Sequence, residues 1–116
     1  MVRIMDPRRE RRARNEAIFR EVNERIEELD AHFGHVAPDP SRLIVVCECG
    51  LGTCTGQFEV TRSLYETVRA NPKRFLVLPG HEDARIERVV EKHADFSVVD
   101  KFVHKADVAV EHDPRN

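Results

Sequence analysis

All three cysteines of the chain fall within CECGLGTC, residues 47–54: Cys47, Cys49 and Cys54. Thiolates gathered this closely suit a soft metal ion, above all zinc, which takes sulfur ligands at about 2.3 Å in a tetrahedral arrangement. If the strand that precedes them continues through Cys49, then Cys47 and Cys49 point to one face, and Cys54 must return from the loop to meet them. Gly50 and Gly52 lie between the cysteines, where they would let the backbone curl. The spacing is C-x-C-x4-C, not the common C-x2-C ribbon.

A fourth ligand has to come from elsewhere. His81, in PGHE at residues 79–82, stands on a turn beside an expected helix start and is the first candidate; His93, at the end of that helix, is the second. His32 and His35 flank a linker and are the third choice. Other uses of the cluster compete with a structural metal. They are three unliganded buried thiols, a redox-active Cys47/Cys49 pair, and an iron–sulfur cluster, which normally needs four cysteines. Catalysis at the metal would need three protein ligands and a water, with Glu82 as a base. The deaminase pattern H-x-E with P-C-x-x-C is absent, as is H-E-x-x-H. Gly50, Gly52 and Gly56 match neither G-K-[ST] nor G-x-G-x-x-G, so no phosphate loop is indicated.

The elements that must position this cluster can be read from periodicity. A long amphipathic helix is expected over residues 6–33, with Asp6-Pro7 as its start and Gly34 as its stop. Its apolar stripe is Ile18, Val22, Ile26, Leu29 and Phe33. Its charge opposes the helix macrodipole: Arg8, Arg9, Arg11, Arg12 and Arg14 crowd the first half, and Glu27, Glu28 and Asp30 the last. Pairs four apart, Arg12–Glu16, Glu16–Arg20, Arg20–Glu24 and Glu21–Arg25, offset part of that cost. After a linker, HVAPDPSR, come two strands, Leu43–Val46 and Gln57–Val60, forming a hairpin with the cysteine loop at its tip. Thr61 caps a helix to about Ala70 with Leu64, Tyr65 and Val68 inward. Phe75–Leu78 is a third strand and Pro79-Gly80 a sharp turn. Asp83 is expected to cap a helix to about His93, and Phe96–Val99 to form a fourth strand. The class is α+β, a small mixed sheet in the order β-β-α-β-α-β whose last three elements favour a right-handed parallel crossover.

The chain has 116 residues, with 34% charged, 41% hydrophobic and no Trp, a mix that suits one modest globular core. Three segments are expected: an N-terminal helix over 1–34, a zinc-binding α/β domain over 43–101, and a flexible tail over 102–116. The net charge of −2 gives no global drive toward nucleic acid or anionic lipid. No apolar run is long enough for a membrane span, and the start lacks a secretory h-region. A cytoplasmic location is the expectation, in which a reducing environment disfavours disulfides. Lys and Arg over residues 62–92 read as a solvated face.

Taken together, RRARNEAIFREVNERIEEL, CECGLGTC, SLYETVRANPKRFLVLPGHED and IERVVEKHADFSVVDK resemble a family of small, largely uncharacterised bacterial proteins, most of them actinobacterial. Its members pair an Arg-rich N-terminal helix with a C-x-C-x4-C cluster, a V-R-x-x-P-x-x-F segment and a P-G-H-E turn. The resemblance covers about residues 8–101. It implies a shared fold and one site made of Cys47, Cys49, Cys54 and His81, favouring His81 over His93, and it implies no reaction. One departure is the loop between the second and third cysteines, usually more acidic or polar, here Gly50-Leu51-Gly52-Thr53.

The expected function is a non-enzymatic, zinc-stabilised interaction or regulatory module. The N-terminal helix would pack on its own sheet, meet a protein partner or pair with a second copy as a homodimer. Its Arg cluster would suit an acidic partner or a nucleic-acid backbone. The alternatives are a thiol redox sensor using Cys47, Cys49 and Cys54, and a small zinc hydrolase or deaminase.

Overall fold

A computed structural model describes residues 7–33, 39–102, 110 and 113–115, with the side chains of 7–10 and 32–33 left aside. Asp6, Gly34, the first half of the linker (35–38, His35 included) and most of the tail lie outside the described residues, as do the side chains of Arg8, Arg9, His32 and Phe33. The elements are α1 (Pro7–Phe33), β1 (Arg42–Val46), β2 (Gln57–Thr61), α2 (Arg62–Arg69), β3 (Arg74–Val77), β4 (Glu87–Lys92) and β5 (Ser97–Lys101). The fold is α+β. β1 and β2 form one antiparallel sheet, and β3, β5 and β4 form a second in that order.

Two expectations fail here. Residues 83–93 are not a helix, and no strand pair of the described sheets is parallel. Asp83 does cap a turn: its carboxylate accepts from the Arg85 N–H at 3.1 Å, and its carbonyl accepts from the Ile86 N–H at 3.0 Å. The chain then enters β4 instead of winding on. A β-bulge between Val89 and Glu91 breaks the two-residue alternation, so apolar residues at 86, 89 and 90 imitate helical spacing. Pairing with β5 decides the outcome, because β5 is buried along Ser97–Val99 and takes a partner strand on each side.

The core gathers Leu43, Val45, Phe58, Val60, Tyr65, Val68, Phe75, Leu76, Val77, Phe96, Val98 and Val99, with Cys47 and Cys49 among them. α2 starts as expected: the Thr61 hydroxyl accepts from the Leu64 N–H at 3.1 Å. It also brings Arg69 inside, 2% exposed, which corrects the reading of that segment's cations as a solvated face.

α1 reverses its expected polarity. Its inward face is Glu16, Ala17, Arg20, Asn23, Glu24 and Asp30, while Ile18, Val22 and Leu29 are exposed. The inward polar groups find partners on other elements. Asn23 binds the open edge of β1 with both ends of its amide: Val46 N–H donates to its Oδ1 at 2.8 Å, and its Nδ2 donates to Val46 O at 2.9 Å. Arg20 donates to Pro72 O at 2.6 Å and lies over the Phe75 ring at 4.7 Å. Glu16 pairs with buried Lys101, Asp30 with Arg62, and Glu24 with Arg115. A polar face whose groups are mostly paired is compatible with burial, so the apolar stripe is free to face outward.

At the centre of this packing, Glu48 accepts two hydrogen bonds from Arg69, at 2.8 and 3.0 Å, and one each from Asn23 at 2.7 Å and Leu76 N–H at 2.9 Å. Removing one partner of such a pair leaves a buried, uncompensated charge. Arg69→Met is expected to cost about 3–5 kcal/mol, read as a fall in the urea midpoint with unchanged slope.

Lys101 serves two carboxylates, Glu16 and Glu87. Burial pushes the Glu16 carboxyl up to about 8, with Lys101 pulling the other way. In the unfolded chain Glu16 ionises at its ordinary value of 4.5, so between these values the folded chain carries the extra proton. The group's contribution to stability therefore falls as pH rises from about 4.5 to about 8. Glu16→Gln is expected to flatten that part of the stability–pH profile, measured by urea unfolding across the same window.

Candidate metal centre

Strand alternation sets the first two thiols. Leu43, Val45, Cys47 and Cys49 share one phase along β1 and its extension and are all buried, while Glu48 turns to the opposite side. The extension is held on both edges: Cys47 N–H donates to Gly56 O at 2.9 Å, and Glu48 N–H donates to Leu76 O at 2.8 Å. A tight turn then returns Cys54, whose N–H donates to Leu51 O at 3.0 Å.

His81 arrives from the other sheet. Leu78–His81 is a β-turn closed by His81 N–H to Leu78 O at 3.0 Å, with Gly80 at φ +83°. Proline second and a positive-φ glycine third are the requirements of a type II turn. The turn is pinned to the cysteine loop, because Leu78 N–H donates to Cys47 Sγ at 3.1 Å.

Cys47, Cys49, Cys54 and His81 thus offer one ligand atom each, all within 4.8 Å of one another. His81 Nδ1 lies 3.7 Å from Cys47 Sγ and 3.6 Å from Cys54 Sγ. Around a tetrahedral zinc with sulfur at about 2.3 Å and nitrogen at about 2.05 Å, the S···N edge is about 3.6 Å. The two S···N separations match that edge, and the four side chains together could hold a metal ion. His93 is elsewhere: it is exposed at the β4–β5 turn, stacked on Phe96 at 4.5 Å and facing Glu91 at 3.4 Å.

Without an ion, burial pushes the thiols of both Cys47 and Cys49 up from their ordinary value. Backbone N–H groups oppose this: Leu78 and Cys49 on Cys47, and Leu51 on Cys49. Donors aimed at sulfur are what a thiolate needs in a site closed to water.

Sequence reasoning missed the part that α1 plays. Arg12 donates to Cys49 O at 2.9 Å and to His81 O at 3.2 Å, and it pairs with Asp83 at 3.3 Å. One guanidinium joins the two segments that carry the candidate ligands. Asn15 adds a bond to Gly50 O at 3.1 Å. Three thiolates around a divalent cation sum to one negative charge, so a cation at this place is electrostatically apt. The only signal for Arg12 in the sequence is its membership of an arginine-rich run, which does not tell it from its neighbours.

Gly50 makes the close approach to α1 possible. It has φ +78°, and an added Cβ would stand 2.6 Å from Arg12 O and from Glu16 Cγ. Gly52, expected to serve the curl equally, has no atom within 4 Å of a built Cβ and no positive φ. Gly50→Ala is expected to lower stability by about 1–3 kcal/mol through backbone strain and displacement of α1, and Gly52→Ala to leave it within about 0.5 kcal/mol. Thermal unfolding of the two variants side by side checks this. No family model matches the chain, and no curated protein and no solved structure matches it either.

Proposed function

We propose that Cys47, Cys49, Cys54 and His81 bind one zinc ion in a closed tetrahedral site, and that the protein is a non-enzymatic, metal-stabilised interaction or regulatory module. The observation that carries this reading is the convergence of four ligand atoms within 4.8 Å, with S···N separations of 3.6 and 3.7 Å. Zinc is favoured over harder ions because three donors are sulfur and the fourth is imidazole. A Cys3His set fills the tetrahedron, which leaves no position for a substrate or an activated water. This counts against the hydrolase or deaminase alternative. The family resemblance agrees with the same four residues and remains part of the proposal.

A redox role is the second reading. Cys54 is the one thiol of the three that is partly exposed, so an oxidant would meet it first, with Cys47 or Cys49 as the resolving partner. The raised thiols of Cys47 and Cys49 make these two slow nucleophiles in the metal-free protein. Sensing would then proceed from the metal-bound thiolates by loss of the ion.

The experiment is metal analysis of untagged protein purified without chelator. About one zinc per chain is expected, with stoichiometric binding lost in Cys54→Ser and His81→Ala and retained in a His93→Ala control. Arg12→Met keeps all four candidate ligands and is expected to weaken zinc binding about 10- to 100-fold, the usual effect of removing a group that orients ligands, measured by competition with a chromophoric chelator. Removal of the ion should lower the unfolding temperature, since binding free energy is folding free energy here. A metal-free protein with three freely titrating thiols would overturn the zinc reading.

A further inference from the structure

The outward face of α1 is unusual for a helix that packs on its own protein. At 3.6 residues per turn, Ile18, Val22 and Leu29 fall within about 40° of one another, with Arg11 on the same line. Asn23, Arg20 and Glu16, which bind the body of the protein, project from the opposite side. Ile18 is 54%, Val22 39% and Leu29 55% exposed, and Ile26 beside them is half-buried. From Ile18 to Leu29 the stripe runs about 16 Å along the axis. An apolar stripe at this spacing, standing free on a charged surface, is the form of a helix-pairing seam.

What covers it is indicated by charge. Arg11 and Arg14 are exposed at the basic end, and Glu28 is exposed at the acidic end. Both ends oppose the macrodipole of their own helix. A second α1 running antiparallel corrects both faults together. It places its acidic half beside the first helix's N-terminus and its basic half beside the C-terminus. A parallel pair would set arginine against arginine and glutamate against glutamate. A two-fold axis also makes one patch serve both copies.

We propose that the Ile18–Val22–Leu29 stripe docks a second copy of this chain, with the two α1 helices antiparallel about a two-fold axis near Val22. Arg14 of each copy then lies by Glu28 of the other. Ile18, Val22 and Leu29 are not among the candidate ligands, so the pairing face can be changed while all four are kept.

Sedimentation equilibrium of the full chain with zinc present, from about 1 to about 200 µM, tests this. A dimer is expected, and Ile18→Glu or Leu29→Glu should raise its dissociation constant at least about tenfold, since each change enters the interface twice. Both residues are exposed in the single chain, so circular dichroism of these variants should match the parent, and their unfolding temperatures should match it at concentrations where the parent is monomeric. Arg11→Glu/Arg14→Glu and Glu28→Lys should each weaken the dimer, and an equimolar mixture of the two should restore it. The proposal is overturned by a monomer at about 200 µM, by a dimer that ignores Ile18→Glu and Leu29→Glu, or by a mixture that does not re-associate. A monomer that Ile18→Glu destabilises would overturn it too, and would assign the stripe to another segment of the same chain.

Discussion

The carboxylate of Glu48 stands between two thiols in sequence and opposite them in space, and much of the molecule is arranged around that opposition. A strand sends neighbouring side chains to opposite sides. Cys47 and Cys49 therefore face one way, while Glu48 enters a dry interior and must be neutralised there. Arg69 of α2 supplies the charge, and Asn23 of α1 and the Leu76 N–H of β3 supply further hydrogen bonds. Four elements are thus committed to one another through a single buried anion. The backbone of Glu48 adds a bond to β3, so this residue also joins a two-stranded sheet, marginal by itself, to the three-stranded one.

The same demand explains why α1 turns its polar face inward. An ordinary surface helix buries its apolar stripe. Here the groups waiting for α1 are the open edge of β1, a lysine serving two carboxylates, and two carbonyls of the cysteine and histidine segments. Asparagine, glutamate and arginine satisfy these, and isoleucine or leucine would not. The cost of burying the polar side chains is met by specific partners, and the apolar residues are left for the outside. Charge that looks misplaced along an isolated helix is partly charge placed for tertiary partners: Arg12 and Glu16 are bound across the structure.

This is also where the sequence stopped being informative. β1, β2, α2, β3 and β5 are legible within a residue or two: β1, β3 and β5 as short apolar runs, β2 by its alternation, and α2 by its capping threonine and apolar face. The grouping of Cys47, Cys49 and Cys54 is visible in their spacing, and His81 is suggested by its place on a Pro-Gly turn. β4 is not legible, since a bulge gives Ile86, Val89 and Val90 a helical spacing. The buried face of α1 is not legible either, because periodicity finds the apolar side of a helix and assumes that it faces the core. Arg12 and Arg69 read like any surface arginine until their partners, distant in sequence, are known.

The candidate metal centre and the Glu48 network connect the same pair of sheets from opposite faces of one strand extension. Cys47, Cys49 and Cys54 belong to the β1–β2 loop and His81 to the turn after β3, while Glu48 ties that extension to α2 and β3. In a core without tryptophan, an ion in the proposed site would close the second of these two links. Arg12 then acquires a clear physical role. It holds the carbonyls of Cys49 and His81 together from the side of α1, so the spacing of the candidate ligands and the seating of the helix depend on each other. Disturbing the cysteine loop would loosen α1, and displacing α1 would let the histidine turn drift from the thiols.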